Sequence, residues 1–207
     1  MTIVIRTLSE RVFAIVRDQI VAGTLPAGQA IRQDALAADL GISKIPLREA
    51  LARLEQDGLL NSVTNRGYVV RGLSIADAEE ICALRLCIEP EAVARAAGVA
   101  SAKERDDAMR AYAALGQGGD DAAARSLDFR LALVRPGNRP LTAQLVERLA
   151  ILAERYVVAY PPPPDRVAHN DDHRALIEAW MARDGAGVAD VLRQQIGRAL
   201  DDLRGQI

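Results

Sequence analysis

Hydrophobic spacing divides this chain into a short region of mixed period and a long region of helical period. Between Leu8 and Val21 apolar residues recur at Val12, Ile15, Val16 and Ile20, the three-and-four spacing of one helix face, and Gly23 closes the run. Leu25-Pro26-Ala27-Gly28 reads as a turn. A shorter helix is predicted over 33–40, with Leu36, Ala37 and Leu40 turned inward and Gly41 as its stop. Ser43 stands as the N-cap of a third helix reaching residue 57. There Leu47, Ala50, Leu51 and Leu54 form an i, i+3, i+4, i+7 stripe. Pro46 fits the first turn of that helix, where the N–H groups have no intrahelical partner. After Gly58 the period falls to two. Residues 59–63 and 68–71 alternate like strands around Thr64-Asn65-Arg66-Gly67, a hairpin signature. Helix, tight turn, helix and hairpin make a winged helix-turn-helix, a unit that presents one helix end to a DNA groove.

Past Gly72-Leu73-Ser74 the pattern is helical throughout. Ser74 and Asp77 open a long helix, Ile75–Val99, and further helices are predicted over 101–115, 120–134, 139–159, 171–183 and 185–204. Gly116 to Gly119, Pro136-Gly137-Asn138, the prolines Pro161 to Pro164, and Asp184-Gly185 separate them. The expected fold is therefore mainly α. A winged helix-turn-helix domain covers 1–72 and an all-helical bundle covers 75–207.

Composition sharpens this picture. Half of the 207 residues are hydrophobic but only 3% are aromatic, so the core must be aliphatic and alanine-rich, which suits close-packed helices. A net charge of −2 argues against a nucleic-acid binder until the chain is divided. Residues 1–74 carry nine Lys/Arg and seven Asp/Glu, and the remainder carries seventeen and twenty-one. A cationic first part beside an acidic second part has the sign expected for a DNA-reading module on a partner domain. No stretch approaches the ~20 apolar residues that span a bilayer. The charged start MTIVIRTLSERVF lacks a signal-peptide core, so a cytoplasmic protein without a membrane partner is expected. Cys82 and Cys87, five apart on one helix, are read as reduced core thiols.

These phrases resemble the GntR family of bacterial transcription regulators, and within it the FadR-like branch with a C-terminal FCD effector-binding domain. The N-terminal likeness is carried by Ile20 to Gly28, by Leu40-Gly41-Ile42-Ser43 and by Pro46-Leu47-Arg48-Glu49-Ala50-Leu51. It continues in Leu54-Glu55-Gln56-Asp57-Gly58-Leu59 and Asn65-Arg66-Gly67. Leu84-Arg85-Leu86-Cys87-Ile88-Glu89 and Pro136-Gly137-Asn138 carry it in the second half. The resemblance implies a homodimer on an inverted-repeat operator in double-stranded DNA. The third helix would enter the major groove through Ser43, Lys44, Ile45, Pro46 and Arg48, and Arg66 and Gly67 would form the wing tip. A cation at the helix entrance suits phosphate or guanine O6/N7, and Gly67 suits a tight turn close to a backbone. Arginine is common in the family at the place of Lys44. Lysine loses bidentate guanine reading and acts as a point charge. A solvated helix face is the ordinary role for a single Arg48 or Arg53, and only the complete helix-turn-helix phrase lifts Arg48 above it.

Many FCD domains hold a divalent metal through one Asp and three His, and the resemblance places those positions at Ser126, Arg130, His173 and Gln195. Only the imidazole survives, and a guanidinium repels a metal, so no metal and no cofactor is expected. His169 and His173 are four apart, but Asn170-Asp171-Asp172 reads as a helix N-cap, which would put His169 before the helix. The sharper expectation is that Arg130 offers a small carboxylate effector the charge a metal offers elsewhere, with Ser126, His173 and Gln195 around it. The competing role for Arg130 is an internal ion pair with an Asp or Glu other than Asp128. Arg85 and Glu89, four apart, read as a structural pair. The chain is thus expected to be a ligand-responsive regulator and not an enzyme. It has two His, no nucleophile elbow and no phosphate-binding glycine loop. An effector-insensitive DNA-binding or structural module is the alternative, and a metal-dependent hydrolase on His169, Asp171 and His173 is the remote one.

Overall fold

The computed structural model describes residues 7–64, 66–116, 122–161 and 168–207, with the side chains of 168–171 outside that set. Asn65, Gly118 and Gly119 of the Gly116 to Gly119 break, three of the four prolines, and the side chains of His169 and Asp171 lie outside the described residues. The chain divides between Leu73 and Ser74 into two compact units.

In the first unit α1 is Leu8–Val21, α2 Gln33–Asp39 and α3 Lys44–Gln56, followed by strands β1 Leu60–Val63 and β2 Gly67–Val70. Thr7 and Glu10 close a capping box at the start of α1, which satisfies two of its otherwise open N–H groups. The α1 stripe is Val12, Val16 and Ile20 with Phe13, whereas Ile15 is exposed. Ile15 was expected inside. At 100° per residue it sits well off the centre of that stripe, and Phe13 takes the flank against α3 instead. Leu47, Ala50, Leu51 and Leu54 of α3 are fully buried, as their spacing requires. The strands pair antiparallel with Leu60 opposite Val70 and Val63 opposite Gly67. The turn before α2 contributes more than a link. Gly28 and Ile31 donate to the Val70 and Tyr68 carbonyls at 2.9 and 2.8 Å, so this segment clamps the free edge of β2.

The second unit is helical: α4 Ile75–Val99, α5 Ala102–Leu115, α6 Ala122–Val134, α7 Pro140–Ala159, α8 Ala168–Met181 and α9 Gly185–Arg204. One 3-10 turn, Arg135–Gly137, separates α6 from α7. It packs on α4 so closely that a Cβ on Gly137 would meet the Ala96 Cβ at 3.6 Å. Trp180 is fully buried and its indole donates to the Leu133 carbonyl at 3.1 Å, tying α8 to the end of α6. Around it lie Val93, Ala97, Phe129, Val146, Ile177, Val188 and Leu192. At the other end the Tyr156 hydroxyl accepts from the Ser74 N–H at 3.3 Å and donates to the Ser74 carbonyl at 3.1 Å. That pair anchors the first residue of this unit.

Two expectations are corrected here. Cys82 is buried, and burial foremost pushes its thiol up, but Cys87 is exposed and is no core thiol. Five residues advance a helix by 500°, which carries the second sulfur out of the core. Helix α8 also begins at Ala168, before the Asn170-Asp171-Asp172 phrase, so the His169 backbone is helical. No helix among the described residues is long and apolar enough to cross a membrane.

Candidate nucleic-acid interface and candidate effector cavity

The N-terminal end of α3 is built to attract an anion. Ser43 has the extended backbone of an N-cap, but its side chain makes no capping hydrogen bond. The first turn carries no acidic residue, whereas α1, α4 and α5 hold Glu10, Asp77 and Glu104 there. The positive end of the helix dipole and its open N–H groups are thus uncompensated from within α3. Ser43, Lys44, Ile45 and Arg48 are all exposed, and Pro46 is half-buried. Lys44 reaches back to α2, its Nζ 2.7 Å from Asp34 Oδ1, in a pair open to water. Local spacing carries no sign of that pairing, because the packing of α2 against α3 creates it. Arg53 is exposed, as a solvated face requires, and its guanidinium also lies 4.3 Å over the Phe13 ring. At the wing Arg66 is exposed and Gly67 has φ +72°, a left-handed backbone that favours glycine. Glu55 accepts from the Ser62 N–H at 3.0 Å and fastens β1 to α3.

Inside the helical unit the four expected effector residues come together. Ser126, Arg130, His173 and Gln195 line one cavity of about 20 Å³, room for about one water. Arg130, His173 and Gln195 also wall a neighbouring cavity of about 100 Å³, together with Arg85, Asp172, Arg198 and Asp202. Each side chain has a visible support. The His173 ring stands edge-on to Phe129, centroids 5.6 Å apart and planes at 90°. Gln195 Nε2 donates to the Asp172 carbonyl at 2.7 Å, and Ser126 donates to Glu154 at 3.2 Å. Arg198 meets the Asp172 carboxylate at 2.5 Å.

At the floor, Arg85 grips both oxygens of Glu89, at 2.7 and 3.1 Å. Arg130 shares the same carboxylate from α6, its Nη1 3.5 Å from Glu89 Oε2. Burial alone would raise the Glu89 carboxyl, but the two guanidinium charges and their hydrogen bonds outweigh it and hold it below the usual carboxylate range. For Arg130 the balance goes the other way. Burial and the like charge of Arg85 lower its basicity, and attraction to Glu89 and Glu154 does not fully compensate. Sequence spacing identifies the Arg85–Glu89 pair. It does not reveal that Arg130 joins that pair, nor that Glu154, Asp172 and Arg198 belong to the same polar cluster, since those residues come from separate helices. Among the described residues no group of three or more His, Cys, Asp and Glu is placed to hold a metal.

Two family models match successive parts of the chain. Residues 8–70 match the model of bacterial regulatory proteins of the gntR family, and residues 80–198 match the FCD domain. The chain is 28% identical to the uncharacterized HTH-type transcriptional regulator BphR of Paraburkholderia xenovorans, over 97% of this chain and 86% of that protein. It is 32% identical to a probable D-xylose utilization operon transcriptional repressor of Paenarthrobacter nicotinovorans, over 86% of this chain and 80% of that one. Among solved structures, McbR/YncC of E. coli superposes with a TM-score of 0.84 at 23% identity, covering 98% of this chain and 99% of that one.

Proposed function

Because the chain belongs to the GntR family of bacterial regulatory proteins, with an FCD domain as its second part, we propose that it grips an inverted-repeat operator as a homodimer under the control of a small carboxylate held at Arg130. The chain is a DNA-binding transcriptional regulator, and its relatives are regulators and not enzymes. In the reading proposed, Ser43, Lys44, Ile45, Pro46 and Arg48 face the major groove, and Arg66 and Gly67 approach the backbone at the wing. Two such units on a two-fold axis fit two half-sites, and a ligand in the bundle alters how freely they do so.

The observation that carries the effector assignment is the Arg130 contact. Arg85 already occupies both oxygens of Glu89, so Arg130 meets that carboxylate only at 3.5 Å, the long limit of a hydrogen bond. A guanidinium has five N–H donors in a planar fork suited to a carboxylate. Its charge is disfavoured by burial and by Arg85, and an incoming anion would relieve both. The adjoining 100 Å³ holds several non-hydrogen atoms, which suits a small organic acid. One imidazole with an amide, a hydroxyl and a guanidinium is a poor metal set, so the anion binds without a metal bridge.

Thermal-shift screening of organic acids tests this. A ligand at a hundredfold excess over its Kd adds ~2.7 kcal/mol to the unfolding free energy. A stabiliser is expected whose shift of several degrees disappears in Arg130→Ala. A hit indifferent to that change, or stoichiometric metal found at His173 by elemental analysis, would overturn the assignment. The internal bonds of Arg130 to Glu89 and Ser126 to Glu154 favour a second reading, an effector-insensitive regulator. Under that reading no acid shifts the transition.

A further inference from the structure

We infer that Ile45 reads a thymine methyl group, so that each operator half-site carries one thymine against the first turn of α3. This rests on the operator-binding reading above and adds to it one base contact that the reading does not itself require. Ile45 is 71% exposed, well above the next large hydrophobic of the first unit, Leu8 at 48%. It stands among exposed polar neighbours, Ser43, Lys44, Arg48 and Glu49, so no apolar patch of the fold accounts for it. Nor does helix chemistry. A β-branched residue in the first turn neither caps the helix nor complements its dipole.

The neighbouring side chains decide what it can do. Lys44 is drawn aside to Asp34 at 2.7 Å. Of the exposed side chains left at this end, Ile45, Arg48 and Glu49 are three and four apart and share one helix face, and Ile45 is the aliphatic one among them. An aliphatic tip has no donor or acceptor with which to read adenine, guanine or cytosine. Thymine alone presents a methyl group in the major groove. Burying the Ile45 side chain on that methyl removes apolar surface from water. Opposite cytosine the same tip would cover an amino donor and leave it unsatisfied.

The test uses the full chain and synthetic duplexes. Selection from a random-sequence duplex pool defines the bound half-site, and each thymine is then replaced singly by uracil, which deletes only the methyl. One thymine per half-site should show a weakening of about three- to fivefold, the scale of one buried methyl. In Ile45→Ala that sensitivity should vanish while the remaining positions keep theirs. An exposed site makes the variant neutral for folding, and an unchanged melting transition verifies it. A selected half-site indifferent to uracil at every thymine, or an equal sensitivity in Ile45→Ala, overturns this inference alone. Failure to enrich any sequence overturns the operator reading and this inference with it.

Discussion

The two units of this chain use the same ion-pair chemistry in opposite surroundings. In the first, Lys44 and Asp34 meet at 2.7 Å with 55% and 80% of their side chains still exposed. In the second, Arg85 and Glu89 meet at the same distance with 8% and 1% exposed. An exposed pair is worth little, because water and salt supply nearly what the partner does, so it can be exchanged for a phosphate at small cost. A buried pair has no such alternative, and losing one member strands the other in a medium that penalises charge. The first unit therefore keeps its charges where an incoming polyanion can recruit them. The second unit keeps exposed pairs of its own, such as Lys103 with Asp107, but also buries Arg85 and Glu89 in its core, where Arg130 meets the same carboxylate only at 3.5 Å.

The contrast breaks hardest at Glu89. Glu89→Ala leaves Arg85 and Arg130 facing each other without their shared carboxylate and should destabilise by ~3–5 kcal/mol, a large part of a typical domain's stability. Denaturant unfolding measures this. Replacing Arg85 and Glu89 together by methionine should recover part of the loss, and a Glu89→Ala variant as stable as the parent would contradict the account. The pH dependence has a defined sign. The folded Glu89 carboxyl lies below its ordinary value, so its stabilisation is fully present above that value and is lost as pH falls through the folded one. Melting temperature should therefore drop with acid below about pH 5, and Glu89→Gln should flatten that drop.

At the surface site the largest effect should come from Arg48. Arg48→Glu places a carboxylate on the exposed face of α3 and should weaken operator binding by ~1–3 kcal/mol if the side chain reads a base, with thermal stability unchanged. Anisotropy titration on the selected inverted repeat reads the affinity and should report two chains per duplex. Undiminished specific binding would remove Arg48 from the interface, and one chain per duplex would remove the dimer.

Helical periodicity made the skeleton legible. The four α3 core residues, the whole of Ile75–Val99 and the glycine and proline breaks are local properties, and local spacing reports them. Ile15 shows the limit. An apolar residue on the margin of a stripe is assigned by whichever neighbour arrives, and here Phe13 filled the space against α3. The site was legible in part. Family likeness nominated Ser126, Arg130, His173 and Gln195, and the cavity walls contain all four. What spacing could not supply was the pairing between helices. Arg130 on Glu89, Ser126 on Glu154 and Lys44 on Asp34 each join residues from different elements, and each depends on a crossing geometry that no window of the chain encodes. Ser43 is a milder case. The N-cap position was correct, and the missing side-chain bond matters because it leaves the helix end open.

The smallest predicted effect probes the exposed pair itself. If Asp34 merely competes with phosphate for Lys44, then Asp34→Asn removes both the competitor and a negative charge near the DNA-facing helix end. Operator affinity should rise about two- to fivefold, the scale of an exposed ion pair. The gain should shrink as salt rises, since the Debye length is ~10 Å at 0.1 M ionic strength. Lys44→Ala separates the partners: losing one phosphate contact should lower the slope of log affinity against log salt by ~0.9. The opposite outcome is equally informative. Weaker binding by Asp34→Asn would mean that Asp34 holds Lys44 in the orientation that meets DNA. The exposed pair would then be a positioning device, closer in kind to the Arg85–Glu89 pair than its solvent exposure suggests.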